Sequence, residues 1–489
     1  MRKIISSSYY NYSAQYDAFP YQHEAFLELK DKSYSAIFHE QGLGKTKIAI
    51  DLLLYWLQYK DIDTVLIVTK KTLVQNWYNE FGVHTHLRPK IMDSNKGSNF
   101  YILNSPAKVI ITNFETISGE KDRLKLFLES RNVAIVIDES TKIKNPESKL
   151  TQDFFELAPL FKIKNIMTGT PVANRPYDIW AQIYFLDQGK SLGTNFEEFK
   201  KNTDLSNDLS LSKTKQKIFE ESVASIFKKI KDFSVRETKN SSIVSLPSKV
   251  YVNVVVPFEK LQEEMYEQIR NDMEIELTHG DTMVLDESST TIKRLLRLVQ
   301  VASNPKLIDD KYLGLSAKET ALDELLNDIL QKSEKAIVWS IFTGNIDSLC
   351  AKYKKYNAVK ITGKMSVADR NKSIEAFKNG DAQILFATPQ SAKEGLTLTV
   401  ANNAIFYERG FNLDDYLQAQ DRIHRISQKK ECYIYNLMID NSIDRWIDML
   451  LKAKQNAAHL AQGDIGISEY NSIADYSFAD IVKGILKID

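Results

Sequence analysis

Residues 35–50 read SAIFHEQGLGKTKIAI, and three segments of different character follow one another within them. The first four residues form an apolar run typical of a buried strand, a turn with Gly42 and Gly44 follows, and Lys45 opens an amphipathic segment. A strand, a glycine-bearing turn and a helix in this order form a cradle for phosphate groups, because backbone N–H groups at the helix start point towards the anion. We therefore predict a phosphate-binding loop here.

The residue types in this loop have distinct expected roles. The two glycines let the backbone approach the phosphates, Lys45 reaches the terminal phosphates, and the hydroxyl of Thr46 is a magnesium ligand. His39 stands where the common GxxxxGKT pattern has its first glycine. The residues expected to bind the nucleotide are Gln41, Gly42, Leu43, Gly44, Lys45 and Thr46.

A second chemical signal lies in residues 132–145, which read NVAIVIDESTKIKN. Asp138 and Glu139 follow an apolar run, at the strand end where doubly wound sheets meet their ligands. We expect Asp138 to hold the magnesium ion of the nucleotide, and Glu139 to orient and deprotonate the attacking water. Together with the phosphate loop, this acidic pair predicts hydrolysis of a nucleoside triphosphate.

Short apolar runs bounded by turn residues recur in both halves of the chain, and helical segments such as KIAIDLLLYWLQY separate them. Runs of this kind suit strands that are buried on both faces, so the alternation predicts an α/β fold with two parallel sheets covered by helices. The runs are SAIFHE, DTVLIVT, KVIITN, VAIVID and KNIMTG in the first half, and KAIVWS, AVKITG, ILFAT and NAIFYE in the second.

The changes in pattern along the chain predict three regions. We expect an N-terminal ATP-binding lobe over 1–241 with a helical insertion near 196–237, a C-terminal lobe over 242–445 with a helical insertion near 258–310, and a helical tail over 446–489.

Composition sets further limits. Lys plus Arg and Asp plus Glu number 64 each among 489 residues, so a grip on nucleic acid must come from local basic clusters. Cys350 and Cys432 are the two cysteines, and neither lies in a metal-binding spacing. Without a signal-like or membrane-spanning apolar run, we expect a cytoplasmic protein, or one of the host-cell cytoplasm if it is viral, with no membrane partner.

Four segments resemble the Swi/Snf-type helicases of superfamily two. They are FPYQHEAF at 19–26, DESTKIKN at 138–145, TGTPVAN at 168–174 and YLQAQDRIHRISQ at 416–428, the last with Ser427 in place of glycine. The resemblance implies two RecA-like lobes and an ATPase that uses ATP and Mg²⁺ to move along double-stranded DNA.

The resemblance also implies roles for residues outside the phosphate loop. Gln22 would read the adenine edge beside a stacking aromatic ring, and Gly395 would contact the nucleotide. Arg422 and Arg425 would be arginine fingers that reach from the second lobe to phosphates bound in the first. Three residues apart on a helix, both guanidinium groups would share one face and neutralise charge on the transferred phosphate.

By the same resemblance, DNA backbone contacts follow strands in both lobes. In the first lobe they are expected at Lys70, Lys71, Thr72, Thr112 and Asn113, and in the second at Thr362, Gly363 and Thr388. Phosphate contacts use Lys, Thr and backbone amides without a fixed pattern, so these assignments depend on the family likeness.

Two other functions agree with the same residues. One is a helicase that separates or anneals strands on forked or branched DNA. The GLTLT sequence at 395–399 resembles the branch of the family that includes annealing helicases more than the nucleosome-sliding enzymes, but the motif residues do not separate this helicase from a translocase. The other is a binding or remodelling module that acts on a protein partner and uses ATP as a switch, although a pure switch does not require both arginines and the catalytic acid.

Overall fold

The fold is taken from a computed structural model that describes residues 10–205, 209, 212–239, 246–278, 289–391, 396–425 and 427–474. The chain divides into two compact units. The first comprises Met1–Thr203, Glu221–Ser245 and Leu460–Asp464, and the second comprises Asp204–Glu220, Leu246–His459 and Ile465–Asp489.

A seven-stranded parallel sheet forms the centre of the first unit, with strand order β3-β4-β2-β5-β6-β1-β7. Its inner strands are buried on both faces, as expected for a parallel sheet between helices. The strands are Tyr34–Ile37 (β1), Thr64–Thr69 (β2), Lys90–Ile91 (β3), Val109–Asn113 (β4), Val133–Asp138 (β5), Ile163–Met167 (β6) and Ser234–Val235 (β7).

Helices surround this sheet, and several begin at residues that satisfy free backbone N–H groups. The side chain of Asn113 accepts from Thr116 N, and that of Ser148 accepts from Thr151 N. The helices in this part of the chain are Pro20–Leu29 (α1), Lys45–Tyr59 (α2), Val74–His84 (α3), Lys96–Leu103 (α4), Phe114–Gly119 (α5), Lys121–Ser130 (α6), Lys149–Leu157 (α7), Trp180–Asp187 (α8), Phe196–Thr203 (α9) and Lys213–Ile230 (α10).

The second unit contains a six-stranded parallel sheet with strand order β10-β11-β9-β12-β13-β8. Its strands are Lys249–Val256 (β8), Ala336–Trp339 (β9), Val359–Ile361 (β10), Ile384–Ala387 (β11), Asn403–Phe406 (β12) and Cys432–Ile439 (β13). Its helices are Lys260–Thr278 (α11), Ser289–Ser303 (α12), Ala317–Gln331 (α13), Thr343–Lys352 (α14), Val367–Lys378 (α15), Leu413–Gln420 (α16), Ile443–Gln462 (α17) and Ile467–Ile473 (α18).

Strand β8 lies at one edge of this sheet, opposite the edge formed by β10. It pairs along its whole length with β13, and its burial alternates, with Tyr251 and Val255 more than half exposed on one face. Alternation of this kind is typical of a strand that is covered on one face only.

The predicted fold class is confirmed: the chain is an α/β protein with two parallel sheets and covering helices. Helices also occur in both predicted insertions, while the residue limits predicted for the three regions stay predictions. Among the helices that the structure describes, none combines the length and the apolar character needed to cross a lipid bilayer.

Candidate functional site

The phosphate loop connects β1 to α2, and its lysine bonds to the loop itself. The Lys45 amino group donates to the carbonyl oxygens of His39 at 2.9 Å and Glu40 at 3.2 Å. Gly42 and Gly44 both have positive φ angles, 86° and 69°, which glycine adopts without steric cost. The loop therefore has the shape of a phosphate cradle, with oxygen atoms already around the lysine.

Gln22 packs directly against this loop. Its side-chain amide donates to the Leu43 carbonyl at 3.2 Å and accepts from the Phe19 backbone N–H at 3.0 Å, and only 3% of the residue is exposed. A Cβ atom on Gly44 would lie 2.3 Å from Gln22 Nε2. The predicted adenine-reading residue is thus in contact with the loop, and Gly44 leaves the space for it.

We expect Gly44→Ala to destabilise the protein by about 1–2 kcal/mol, because alanine is strained at this φ and because its Cβ would displace Gln22. Urea unfolding measures the change. The matched control is Gly82→Ala in α3, where an added Cβ meets nothing within 4 Å and alanine favours the helix. Equal unfolding free energies for the two variants would contradict the strain at Gly44.

Asp138 ends β5 and is buried. Trp77 Nε1 and Thr69 Oγ1 both donate to its Oδ2, at 2.8 Å and 3.1 Å. Burial, with the neighbouring charge of Glu139, raises the pKa of Asp138 to about 6 against the opposing effects of these hydrogen bonds and of the Lys45 charge. Lys45 and Asp138 therefore belong to one site, and both hydrogen bonds to Asp138 end on the same oxygen.

The raised pKa makes stability depend on pH. Because the pKa of Asp138 is above its ordinary value of 3.8, its contribution to stability is complete below 3.8 and is lost as the pH rises through about 6. We expect the stability advantage of Asp138→Asn over the natural protein to grow by about 1–2 kcal/mol between pH 5 and pH 8. Urea unfolding at both pH values measures it, with the exposed Asp122→Asn in α6 as control. An advantage that shrinks with pH would contradict the effect.

Glu139 follows Asp138 with a left-handed backbone, at φ 56°, which is uncommon for a residue with a side chain. Gln41 Nε2 donates to its Oε1 at 3.3 Å, and Lys70 Nζ lies 3.6 Å from its Oε2. Gly169 makes room for Gln41, since a Cβ there would lie 2.7 Å from Gln41 Cγ. The carboxylate predicted as the general base is therefore contacted by residues from two separate loops, and a third loop leaves room for one of them.

The oxygen atoms expected to bind Mg²⁺ come from Thr46 and Asp138. Thr46 lies at the start of α2 and is partly exposed. A hydroxyl and a carboxylate are the hard oxygen ligands that Mg²⁺ prefers. The donor set thus fits the ion.

A cavity of about 250 Å³ is lined by α1, α2 and residues between 12 and 18. Lys47 and Asp51 form an ion pair at 2.5 Å in its wall. The rest of the lining is mainly aromatic and includes Tyr12, Tyr16, His23, Phe26 and Tyr55.

Arg422 and Arg425 lie in the second unit, but they do not share a helix as expected from their spacing. Helix α16 ends at Gln420, and beyond it the Arg422 carbonyl accepts from Leu398 N at 2.9 Å. Arg425 NH1 donates to Thr397 Oγ1 at 2.8 Å. The expectation of one helical face is therefore wrong, because the chain turns after Gln420, before it reaches either arginine.

The predicted DNA contacts differ in how accessible they are. Lys71, Thr72 and Gly363 are exposed, and Lys70 is partly exposed beside Glu139. The other side chains are buried: Thr112 donates to Met92 O, Asn113 caps α5, Thr388 donates to Ser391 Oγ, and Thr362 follows β10. Gly395, predicted as a nucleotide contact, lies outside the described residues.

Two residues of the site were not found from the sequence. Thr69 and Trp77 hold Asp138, although they precede it by more than 60 residues. Their positions could have indicated these contacts, since Thr69 ends β2, which pairs with β5, and Trp77 lies on α3, the helix that follows β2.

Two parallel sheets, a phosphate loop and an adjacent acidic pair define a helicase-like nucleotide hydrolase. Residues 22–307 match the SNF2-related domain, and residues 317–427 match the helicase conserved C-terminal domain. The chain belongs to the SNF2-related family of helicase-like ATPases, as its motifs indicated.

Curated relatives cover most of the chain at low identity. It is 27% identical to "SWI/SNF-related matrix-associated actin-dependent regulator of chromatin subfamily A member 1" of Mus musculus, over 91% of this chain and 43% of that protein. It is 27% identical to an "Uncharacterized ATP-dependent helicase" of Mycoplasma pneumoniae, over 87% of this chain and 40% of that protein. The chain thus spans about two fifths of the length of these relatives.

A solved structure described as "Sulfolobus solfataricus SWI2/SNF2 ATPase core in complex with dsDNA" aligns with a TM-score of 0.44 and 22% identity, over 95% of this chain and 98% of that one.

Proposed function

We propose that this chain is a DNA translocase that couples ATP hydrolysis to movement along double-stranded DNA. The observation that carries the proposal is the acidic pair at the end of β5. The charge of the phosphate-loop lysine, Lys45, acts to lower the pKa of Asp138, and Gln41 donates a hydrogen bond to Glu139. A magnesium-binding carboxylate and a separate, oriented base are what hydrolysis of a γ-phosphate requires.

In the proposed cycle, Lys45 exchanges its loop carbonyls for the terminal phosphates of ATP. Thr46 and Asp138 would hold Mg²⁺, which neutralises charge on the phosphate oxygens. Glu139 accepts a proton from the attacking water, and Gln41 keeps the carboxylate in place. Arg422 and Arg425 act as arginine fingers on the transferred phosphate.

The adenine base is proposed to bind between Gln22 and the aromatic cavity. The cavity lining includes His23 and Lys47, which directly follow the predicted nucleotide contacts Gln22 and Thr46 in the sequence. Its aromatic rings offer stacking surfaces to a planar base. Gln22 would then exchange the Leu43 carbonyl for the adenine edge.

The DNA-tracking role is supported by where the predicted contacts lie in each sheet. Lys70–Thr72 and Thr112–Asn113 follow or end neighbouring strands, since β2 pairs with β4. Thr362 and Thr388 likewise follow the neighbouring strands β10 and β11. Carboxyl ends of adjacent parallel strands meet at one edge, which is where open α/β sheets bind ligands.

The experiment that tests this function compares ATP turnover without DNA and with duplex, single-stranded or branched DNA. Stimulation by plain duplex supports translocation on double-stranded DNA. Stimulation confined to branched DNA, together with strand displacement, would favour the strand-separating or annealing helicase. ATP turnover that none of the three nucleic acids stimulates would favour the ATP-switched module.

A further inference from the structure

The segment that carries the two predicted arginine fingers is attached to the edge strand of its own sheet. Tyr251 of β8 donates its hydroxyl to Gln420 Oε1 at 2.9 Å, and Lys249 Nζ donates to Asp421 Oδ1 at 3.1 Å. Just before the strand, the Pro247 carbonyl lies 2.8 Å from His424 Nε2. Strand β8 and Pro247, two residues before it, therefore contact the segment from Gln420 to His424 at three points.

These contacts follow the geometry of an extended strand. Of residues 247, 249 and 251, Lys249 and Tyr251 lie two apart within the strand, so their side chains share one face, and Pro247 contributes its backbone carbonyl. They meet residues 424, 421 and 420 in reverse order, which places the arginine segment along the strand in a fixed register. A register fixed at several points restricts rotation and sliding of the segment.

The ion pair also balances an unfavourable charge. Asp421 is the C-terminal cap of α16, where the helix dipole disfavours an anion, and the Lys249 ammonium offsets it. Both side chains are largely buried, 18% and 14% exposed, so solvent weakens their attraction less than at the surface. The Asp421 carbonyl in turn accepts from Arg425 Nε at 3.1 Å. A direct path of contacts thus leads from Lys249 through Asp421 to Arg425.

We propose that Lys249 and Tyr251 are positioning residues for catalysis: they hold the Gln420–Arg425 segment so that its arginines meet the transferred phosphate in the correct orientation. The inference rests on the proposed role of Arg422 and Arg425. Because neither β8 residue need touch ATP, their loss affects the catalytic step and leaves nucleotide binding unchanged.

Lys249→Met and Tyr251→Phe test this, since each removes the polar contact and keeps most of the side-chain volume. With saturating duplex DNA, kcat is expected to fall about tenfold in each variant while the KM for ATP is unchanged. Lys249→Arg should restore most of kcat because the cation is kept. The matched control is Val255→Thr, on the exposed face of the same strand, which should retain full kcat.

A second arm separates positioning from general damage. In an Arg425→Ala background, Lys249→Met should cause little further loss, because residues that act as one unit are not additive. Unchanged kcat in both β8 variants, a fall matched by Val255→Thr, or a full additional tenfold loss in the Arg425→Ala background would overturn the inference. If Arg422→Ala and Arg425→Ala themselves leave kcat intact, the proposed finger role fails instead.

Discussion

Replacing Arg425 by alanine is expected to lower DNA-stimulated ATP turnover on the order of a thousandfold, as loss of an arginine finger does, while nucleotide binding changes little. As an arginine finger, the guanidinium group would neutralise charge that develops on the phosphate oxygens during transfer, so its contribution would be made mainly in the transition state. The same loss is expected for Arg422→Ala. Both alanine variants would therefore lose ATP turnover while they still bind the nucleotide.

Steady-state turnover with saturating duplex DNA, measured beside equilibrium nucleotide binding, checks this result. Arg425 is the cleaner position because it is partly exposed, whereas Arg422 is only 3% exposed and its removal also affects packing. Arg425→Lys should restore little activity, because a point charge cannot reproduce the planar guanidinium fork. Near-normal turnover in both alanine variants would contradict the proposed fingers.

Glu139→Gln is expected to lower hydrolysis by roughly a hundredfold to ten-thousandfold and to keep ATP affinity. The amide matches the carboxylate in size, and its oxygen can still accept from Gln41, but it cannot take a proton from water. Single-turnover hydrolysis and ATP binding measure the two effects. The control Glu129→Gln, at an exposed position in α6, should change neither. An equal loss of ATP affinity in Glu139→Gln would place this residue in the binding shell.

The sequence was sufficient to predict those features that depend on residues close together in the chain. All nine apolar runs are strands, because residues buried on both faces of a parallel sheet leave a continuous apolar pattern. The positions of Lys45, Asp138 and Glu139 could be predicted for a similar reason, since each depends on its own strand and turn, while their roles stay predictions. By contrast, β3 and β7 have two residues each and are too short to produce any pattern.

What the sequence could not predict depends on contacts between distant segments. The end of α16 at Gln420 is one example, because the residues after it bond to a distant segment, as Leu398 N does to the Arg422 carbonyl. The environment of Asp138 is another, since Trp77 reaches it from α3. Neither contact has a local signature, so helical spacing alone gave the wrong geometry for the arginines.

The contacts of Lys45 within its own loop have a consequence for ligand selection. The Lys45 ammonium group already donates to the His39 and Glu40 carbonyl oxygens. The free energy gained when a phosphate binds is therefore only the difference between its new bonds to phosphate oxygens and the lost bonds to these carbonyls. An isolated phosphate ion that meets the lysine alone gains little from this exchange. A polyphosphate that also binds the backbone amides and the metal ligands makes additional favourable contacts, while the number of carbonyl bonds that Lys45 loses stays the same. We therefore expect the loop to bind a ligand with several linked phosphates more tightly than it binds a single phosphate ion.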